Sequence, residues 1–495
     1  MSDNIDEKKP HNGKRLKYNI LLNIVKAVMA LIFPLITYPY ASKILLPEGI
    51  GKYNYVISII GYFQLFAGLG VSIYAITEGS KIRDNRRALS IFSTEVLLIN
   101  IISTVLTYVL LVVLVVLGLF HGYEKLLLIC SITILFNTIG VSWIYNIAED
   151  FLYVTLRTIG FQLLSLVLLF AFVKTQNDIY NYAALTVVAT AGANLCNIFG
   201  AKKYVDFFSE RVRDYKIKRH IKPILLLFFA SAASTVYLNS DKIMLGVIHD
   251  VYTVGIYSTA VKLISVVSAI IVAFRDVLLP RLSYYLFNDF EVEAKKLIIT
   301  SLSGIYMFVF PIITGIVLLN KEMIVLISSI DYISASSSLC ILSVQLLFSP
   351  ISAFIAYEVL VPLKKTHIVS LSTSIAAIEN IVLNLILIPS LSEQGAAIAT
   401  VVSELSVFII LLFNVRKIVE LYSIRFDLVQ YTIGSLSLGI LIFILKHFIV
   451  NIYCKLAFSI IVGGLLYIFI LLLQKNRITM EITKSLLKMF IRTAS

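Results

Sequence analysis

The uncharged apolar run IISTVLTYVLLVVLVVLGLF, residues 101–120, constrains this chain more than any other feature. It reaches the roughly 20 residues that a helix needs to cross a hydrocarbon core. Comparable runs recur along the whole chain, so that 59% of the residues are hydrophobic, only 14% are charged, and mean hydropathy is +0.92. No water is available at that depth, and backbone groups must pair within each segment, so the spans are expected to be helices. A β-barrel would show alternating polarity, which is missing. The expected fold is all-α, a polytopic membrane protein of about fourteen spans.

Charge in the connections sets the orientation. One side collects the tail with Lys8, Lys9, Lys14, Arg15 and Lys17, the loop with Lys81, Arg83, Arg86 and Arg87, and the basic stretch from Lys202 to Lys222. It also collects the C-terminal tail from Lys475 to Arg492, whereas the other side holds only Lys43, Lys52, Lys125, Lys174, Lys321 and Lys455. Both termini are thus expected in the cytoplasm, which requires an even number of spans. The polar start, Met1 to Tyr18, is followed by no small-residue cleavage site, which argues against a removable signal peptide. The net charge of +13 reads as this topology signal plus attraction to anionic lipid heads. No recognition motif for nucleic acid accompanies it.

A weak repeat relates "SKILLPEGIGKY" (Ser42 to Tyr53) to "DKIMLGVIHDVYTVGIY" (Asp241 to Tyr257), each with Lys-Ile and a later Gly-x-Tyr. An even number of spans separates the two copies, so the halves would run parallel about an axis along the membrane normal. The expected organisation is a cytoplasmic tail (1–18), an N-lobe of six helices (19–201), a basic cytoplasmic linker (202–221) and a pseudo-symmetric C-lobe of six helices (222–414). Helices 13 and 14 (428–474) and a basic tail (475–495) follow.

Several chemistries are missing. No P-loop is present, and no H-E-x-x-H pair, so neither ATP hydrolysis through a P-loop nor a zinc hydrolase is expected. No cofactor and no metal site are implied. Cys130, Cys196, Cys340 and Cys454 have no paired spacing and read as buried small hydrophobes. A membrane glycosyltransferase or polymerase would need carboxylates on a sizeable outer loop, where only Glu322 and Asp331 are on offer. A carrier, not an enzyme, is the better class.

Ionisable groups at mid-bilayer cost about 2.5–3.5 kcal/mol and mostly face a cavity or a partner. Lys26 and Lys262 are the leading candidates for cations lining a substrate cavity; the alternative is a structural ion pair with Glu379 or Glu404. Lys242 and Arg275 are further candidates, with snorkelling to the interface as their alternative. Asn23 shares a helical face with Lys26, and Asn239 with Lys242, while Asn380 and Asn384 share a third, so these asparagines could line the same cavity. Glu379 and Glu404 could bind a coupling proton or Na⁺, or serve as fixed counter-ions.

The stretch from Pro34 to Gly79 carries Pro39-Tyr40, Pro47-Glu48-Gly49, Gly51-x-Tyr53, Tyr62-Phe63 and Leu69-Gly70. Trp143 with Glu149 follows, then Asp241-Lys242-x-Met244-Leu245-Gly246, Val254-Gly255-x-Tyr257 and Pro280-Arg281. In order and spacing these features resemble the Wzx-type polysaccharide repeat-unit flippases of the multidrug/oligosaccharidyl-lipid/polysaccharide exporter superfamily. The resemblance implies two six-helix lobes around a cationic cavity. It implies a substrate of undecaprenyl-pyrophosphate-linked oligosaccharide, flipped from the inner to the outer leaflet of the bacterial cytoplasmic membrane for capsule, O-antigen or a related polymer. A polysaccharide polymerase and chain-length machinery would be partners, besides the lipid bilayer. A drug/cation antiporter of the same superfamily, or a membrane glycosyltransferase, is the alternative.

Overall fold

Helix is the only regular structure among the described residues, as hydrocarbon surroundings demand. The computed structural model describes residues 13–209, 215–288, 290–416, 424–481 and 483–484; the side chains at 13–24, 26–27, 30–31, 230, 273–277 and 279–280 fall outside that description. The helices are α1 (Gly13–Gly68), α2 (Val71–Gly79), α3 (Arg86–Val116), α4 (Glu124–Ile139), α5 (Ser142–Ile147), α6 (Phe151–Phe172), α7 (Ile179–Val187) and α8 (Ala193–Ala201). They continue as α9 (Lys218–Ile248), α10 (Val251–Phe287), α11 (Glu291–Ile327), α12 (Ala335–Ser343), α13 (Ser349–Phe354), α14 (Thr366–Val415), α15 (Arg425–Phe448) and α16 (Ile452–Leu473).

Among the described residues, ten helical stretches are long and apolar enough to cross a membrane, or eleven if the bent pair Ile32–Gly68 with Val71–Ile82 is one span. Two helices are far too long for one crossing. A continuous helix of 56 residues, such as α1, would measure about 84 Å against a core of about 30 Å. It breaks at Leu46 (φ 57°, ψ 175°), and α14, 50 residues long, breaks at Ser392 (φ 53°, ψ −131°). The first break has a local cause: Pro47 forces an extended ψ on the residue before it. The arrangement is compatible with the expected fourteen spans.

The chain divides into two compact units, Met1–Ile44 with Ile59–Ala232, and Leu45–Ser58 with Ala233–Ser495. In the first, one face of α3 pins the basic segment that follows α8. Arg86 donates from Nε and Nη2 to the two carboxylate oxygens of Asp206, each at 3.0 Å. One turn on, Ser90 accepts from the Asp206 amide at 2.9 Å, and a further turn on, Thr94 accepts from the Phe208 amide at 3.2 Å. Glu95, 1% exposed, then gathers Arg219 at 2.6 Å, His220 at 2.7 Å and the Lys216 amide at 2.5 Å. The other ring nitrogen of His220 meets the Tyr74 hydroxyl at 2.7 Å. Nearby, Tyr204 donates to Asp150, and burial and that carboxylate push its phenol well above the usual value.

In the second unit the hairpin of α15 and α16 is fastened to α11 at both ends. At one end Ser303 donates to Asp427 at 2.6 Å and meets the Tyr431 hydroxyl at 2.8 Å. At the other, Glu322, 8% exposed, lies between Lys446 at 3.4 Å and Lys455 at 3.3 Å. Leu319, Leu438, Ile442 and Leu456 close the space beneath. The expected buried state of the cysteines holds for Cys130, but Cys454 is exposed in the first turn of α16. Phe443, Val450 and Phe469 are likewise exposed, which in a membrane means contact with lipid.

The two copies of the sequence repeat meet inside this second unit. A Cβ on Gly51 would lie 1.6 Å from the Val251 carbonyl oxygen, and one on Gly255 would lie 2.0 Å from that of Pro47. Only glycine allows the backbones to approach so closely. Gly51→Ala and Gly255→Ala are each expected to cost about 1–3 kcal/mol or more by overpacking. Thermal unfolding of the detergent-purified protein measures this, with Gly68→Ala, where a Cβ meets nothing within 4 Å, as the variant expected to leave the midpoint in place.

Candidate functional site

The polar residues singled out on α9, α10 and α14 converge within the second unit around one carboxylate. Asp241, 7% exposed, sits on α9 two turns before its end. Its Oδ2 accepts from the Tyr257 hydroxyl of α10 at 2.5 Å and from Thr400 of α14 at 2.8 Å. Its Oδ1 accepts from Asn384 of α14 at 2.6 Å. Asn384 also donates to the Asn380 carbonyl oxygen at 3.1 Å, and that oxygen takes a second bond, from Ser240, at 2.9 Å. Asn380 and Asn384 have no exposed surface, and their four-residue spacing puts them side by side. Three helices are thus tied by a carboxylate with three donors, the arrangement that makes a buried anion tolerable.

Lys242 and Lys262 are half-buried on α9 and α10, and near enough for the Lys262 charge to act on Lys242; Asp241 acts on Lys242 with the opposite sign. Asn239, half-buried one turn before Lys242, spends its amide hydrogens on the Thr235 carbonyl at 2.9 Å. The two ammonium groups share partly dehydrated surroundings on consecutive helices, where an anion would be held more strongly than in water. This is the one place among the described residues where the proposed cavity cations come together. The side chains of Asn23, Lys26 and Arg275 lie outside the described residues.

The two proposed coupling carboxylates have different surroundings. Glu404 accepts from the Tyr237 hydroxyl at 2.9 Å, so its structural partner is a phenol. Glu379 is half-buried on α14 and is not part of either hydrogen-bonded group. Of the outer-loop carboxylates weighed for glycosyl transfer, Glu322 is clamped between two lysines and Asp331 is exposed, accepting from Ser329 at 2.8 Å. The helix α11 runs to Ile327 and leaves only residues 328–334 as the connection, too short to build a catalytic domain.

Sequence reasoning passed over several residues here. Asp241 stands in the sequence only as part of the repeat, and its partners Tyr257 and Thr400 carry no charge to flag them. Arg157 in α6 of the first unit was also missed, although a guanidinium inside an apolar run is itself a signal. It lies over the rings of Tyr153 and Tyr145, 5.4 and 5.9 Å from their centroids.

With this geometry in hand, comparisons with known proteins are informative. The family model described as "Polysaccharide biosynthesis protein" matches residues 16–286. A Haloferax volcanii protein named as a low-salt glycan biosynthesis flippase is 25% identical over 239 residues, 48% of this chain and 50% of that protein. An Escherichia coli K12 protein named as an O-antigen transporter is 23% identical over 275 residues, 55% of this chain and 66% of that one. The chain therefore spans about half to two thirds of the length of these relatives. Among solved structures, the lipid II flippase MurJ in an inward closed conformation superposes with a TM-score of 0.71 at 18% identity, covering 91% of this chain and 98% of that one. An inward-facing multidrug resistance MATE family transporter gives 0.62 at 15% identity, covering 80% and 98%. The likeness to both establishes the fold.

Asp241→Ala would remove the shared acceptor of three donors, of which Asn384 and Thr400 keep a second acceptor in Asn380 and Ala396, and is expected to cost about 1–3 kcal/mol. Asn384→Ala, which removes only one of them, is expected to cost clearly less. Unfolding midpoints of the purified variants give the order, and equal midpoints would remove Asp241 from the centre of the cluster.

Proposed function

We propose that this chain, which belongs to the polysaccharide biosynthesis protein family, is a flippase for undecaprenyl-pyrophosphate-linked oligosaccharide repeat units. It would carry them from the inner to the outer leaflet of the bacterial cytoplasmic membrane, with both of its own termini on the cytoplasmic side. The observation that carries this reading is the half-buried pair of Lys242 on α9 and Lys262 on α10, near enough for one charge to act on the other. A pyrophosphate is the kind of group that such a pair accommodates. It carries several acceptor oxygens and about two negative charges, and ammonium groups bind it as point charges.

The barrier to crossing is the polar head, since a prenyl chain is at home in lipid throughout. Ammonium groups and the polar surface around Asn239 would replace part of the hydration shell that the head gives up. An inside-negative potential favours outward movement of an anion by about 2.3 kcal/mol per charge per 100 mV. For about two charges the field alone supplies several kcal/mol, enough to drive export with no nucleotide site. A polymerase and chain-length machinery would take up the delivered units. The curated relatives, one named for glycan biosynthesis and one for O-antigen, support the substrate class.

Lys262→Ala and Lys242→Ala are each expected to lower export by about tenfold or more, the loss of one charge-assisted contact to phosphate. Lys262→Arg should restore part of it. Export is measured as surface polysaccharide in a deletion strain carrying each variant, with the lipid-linked glycan that piles up in the inner leaflet identified chemically. Wild-type export from the double alanine variant would overturn the assignment. A drug/cation antiporter is the second reading, favoured by the Glu404 carboxylate and the MATE-like fold; dye efflux from the same strains separates the two.

A further inference from the structure

The first unit holds polar side chains at membrane depth that neither the lysine pair nor the Asp241 cluster accounts for. Asn137 is exposed on α4, about 20 Å along the helix from Glu124, and so lies within a hydrocarbon core of about 30 Å. It does not stand on the lipid side. Leu128, Ile132 and Leu135, all exposed, mark the lipid face of α4. At about 100° per residue Asn137 lies roughly 140–180° round the helix from them. An exposed amide at this depth, on the side away from lipid, borders a wet cleft. We infer that Asn137 belongs to a sugar-binding strip, a subsite for the hydroxyl groups of an uncharged carbohydrate ring.

Two more helices complete the strip. Asn194 of α8 donates to the Asn137 carbonyl oxygen at 2.9 Å, and its own carbonyl oxygen accepts from Asn197 at 3.3 Å. Gly140, at the end of α4, lets α8 come this close, since a Cβ there would lie 2.5 Å from that of Asn194. One turn back on α4, Thr133 accepts at 2.7 Å from Gln64, which is half-buried on the arm of α1 that follows the break at Leu46. Thr133 gives its own proton to the Cys130 carbonyl at 2.7 Å. These bonds fix the amides and leave a definite remainder. Among the described residues, nothing accepts from the two amide hydrogens of Asn137, and nothing donates to the Gln64 side-chain carbonyl oxygen.

That remainder selects the ligand. A hydroxyl both donates and accepts, so a ring with hydroxyls on successive carbons meets the donors of Asn137 and, about one helical turn or roughly 5–6 Å away, the acceptor of Gln64. Gln64, Thr133, Asn137 and Asn194 carry no charge, so the strip offers a pyrophosphate no counter-ion. An apolar ligand would leave the amides unanswered at membrane depth, which costs free energy. A site built to hydrogen-bond a hydroxyl discriminates strongly against a ligand that lacks it. The strip would thus read the sugar, whereas the lysine pair reads the charge. It stands on the geometry of the first unit alone; that its sugar is the transported repeat unit rests on the flippase reading.

The experiment is equilibrium binding of two probes to the purified full chain. One is tritiated single-repeat oligosaccharide cut from the host's surface polysaccharide, free of phosphate and prenyl chain. The other is undecaprenyl pyrophosphate without sugar. Wild type is expected to bind both saturably. Asn137→Ala and Asn194→Ala should each weaken oligosaccharide binding by about tenfold and leave undecaprenyl pyrophosphate binding unchanged. Asn137→Leu, of similar shape but without polar atoms, should behave like the alanine variant, and Leu128→Ala, on the lipid face, should change neither probe. Thermal unfolding midpoints show which variants are folded. Oligosaccharide binding that survives Asn137→Ala and Asn194→Ala would overturn the proposal and leave the amides as a clasp between helices. Equal loss of both probes in the alanine and leucine variants alike, or a wild type that binds no oligosaccharide, would also overturn it. A wild type that binds oligosaccharide through Asn137 but takes up no undecaprenyl pyrophosphate would support the site and overturn the flippase reading.

Discussion

Water is absent from the interior of a bilayer, and every polar group that enters it must find its answer within the protein. The backbone meets this demand by helix formation, and the demand returns wherever a helix breaks or a charge appears. At Leu46 the break coincides with Pro47, a residue with no amide hydrogen to leave unpaired. At Asp241 the charge is answered by three donors from two other helices. At Glu95 it is answered by an arginine, a histidine and a backbone amide. The polar interior is thus a set of closed local solutions, and the places where a solution is left open stand out against them.

That contrast separates structural from functional polarity. Glu322 resembles a catalytic carboxylate in sequence, yet two lysines hold it where it fastens the α15–α16 hairpin to α11. Asn380 and Asn384 resemble cavity lining, yet they have no exposed surface and complete the hydrogen bonding of Asp241. Lys242, Lys262 and Glu404 are different. Lys242 and Lys262 are half-buried amines whose charges act on each other, and Glu404 accepts from a phenol where Asp241 accepts from three donors.

Much of the fold was legible because hydrophobic length acts locally. The long apolar runs, the Gly-x-Tyr repeat and the four-residue spacing of Asn380 and Asn384 all have counterparts in the structure. What could not be read were pairings between distant helices. Nothing local to Asp241 points to Thr400, 159 positions away, and nothing marks Tyr237 as the partner of Glu404, 167 positions away. The matching spacings, 237 with 241 and 400 with 404, become meaningful only once α9 and α14 are known to be neighbours. Arg157 is a different case. Its charge was visible inside a predicted span, and what hid its setting is that aromatic faces, unlike carboxylates, leave no charge signature to pair it with.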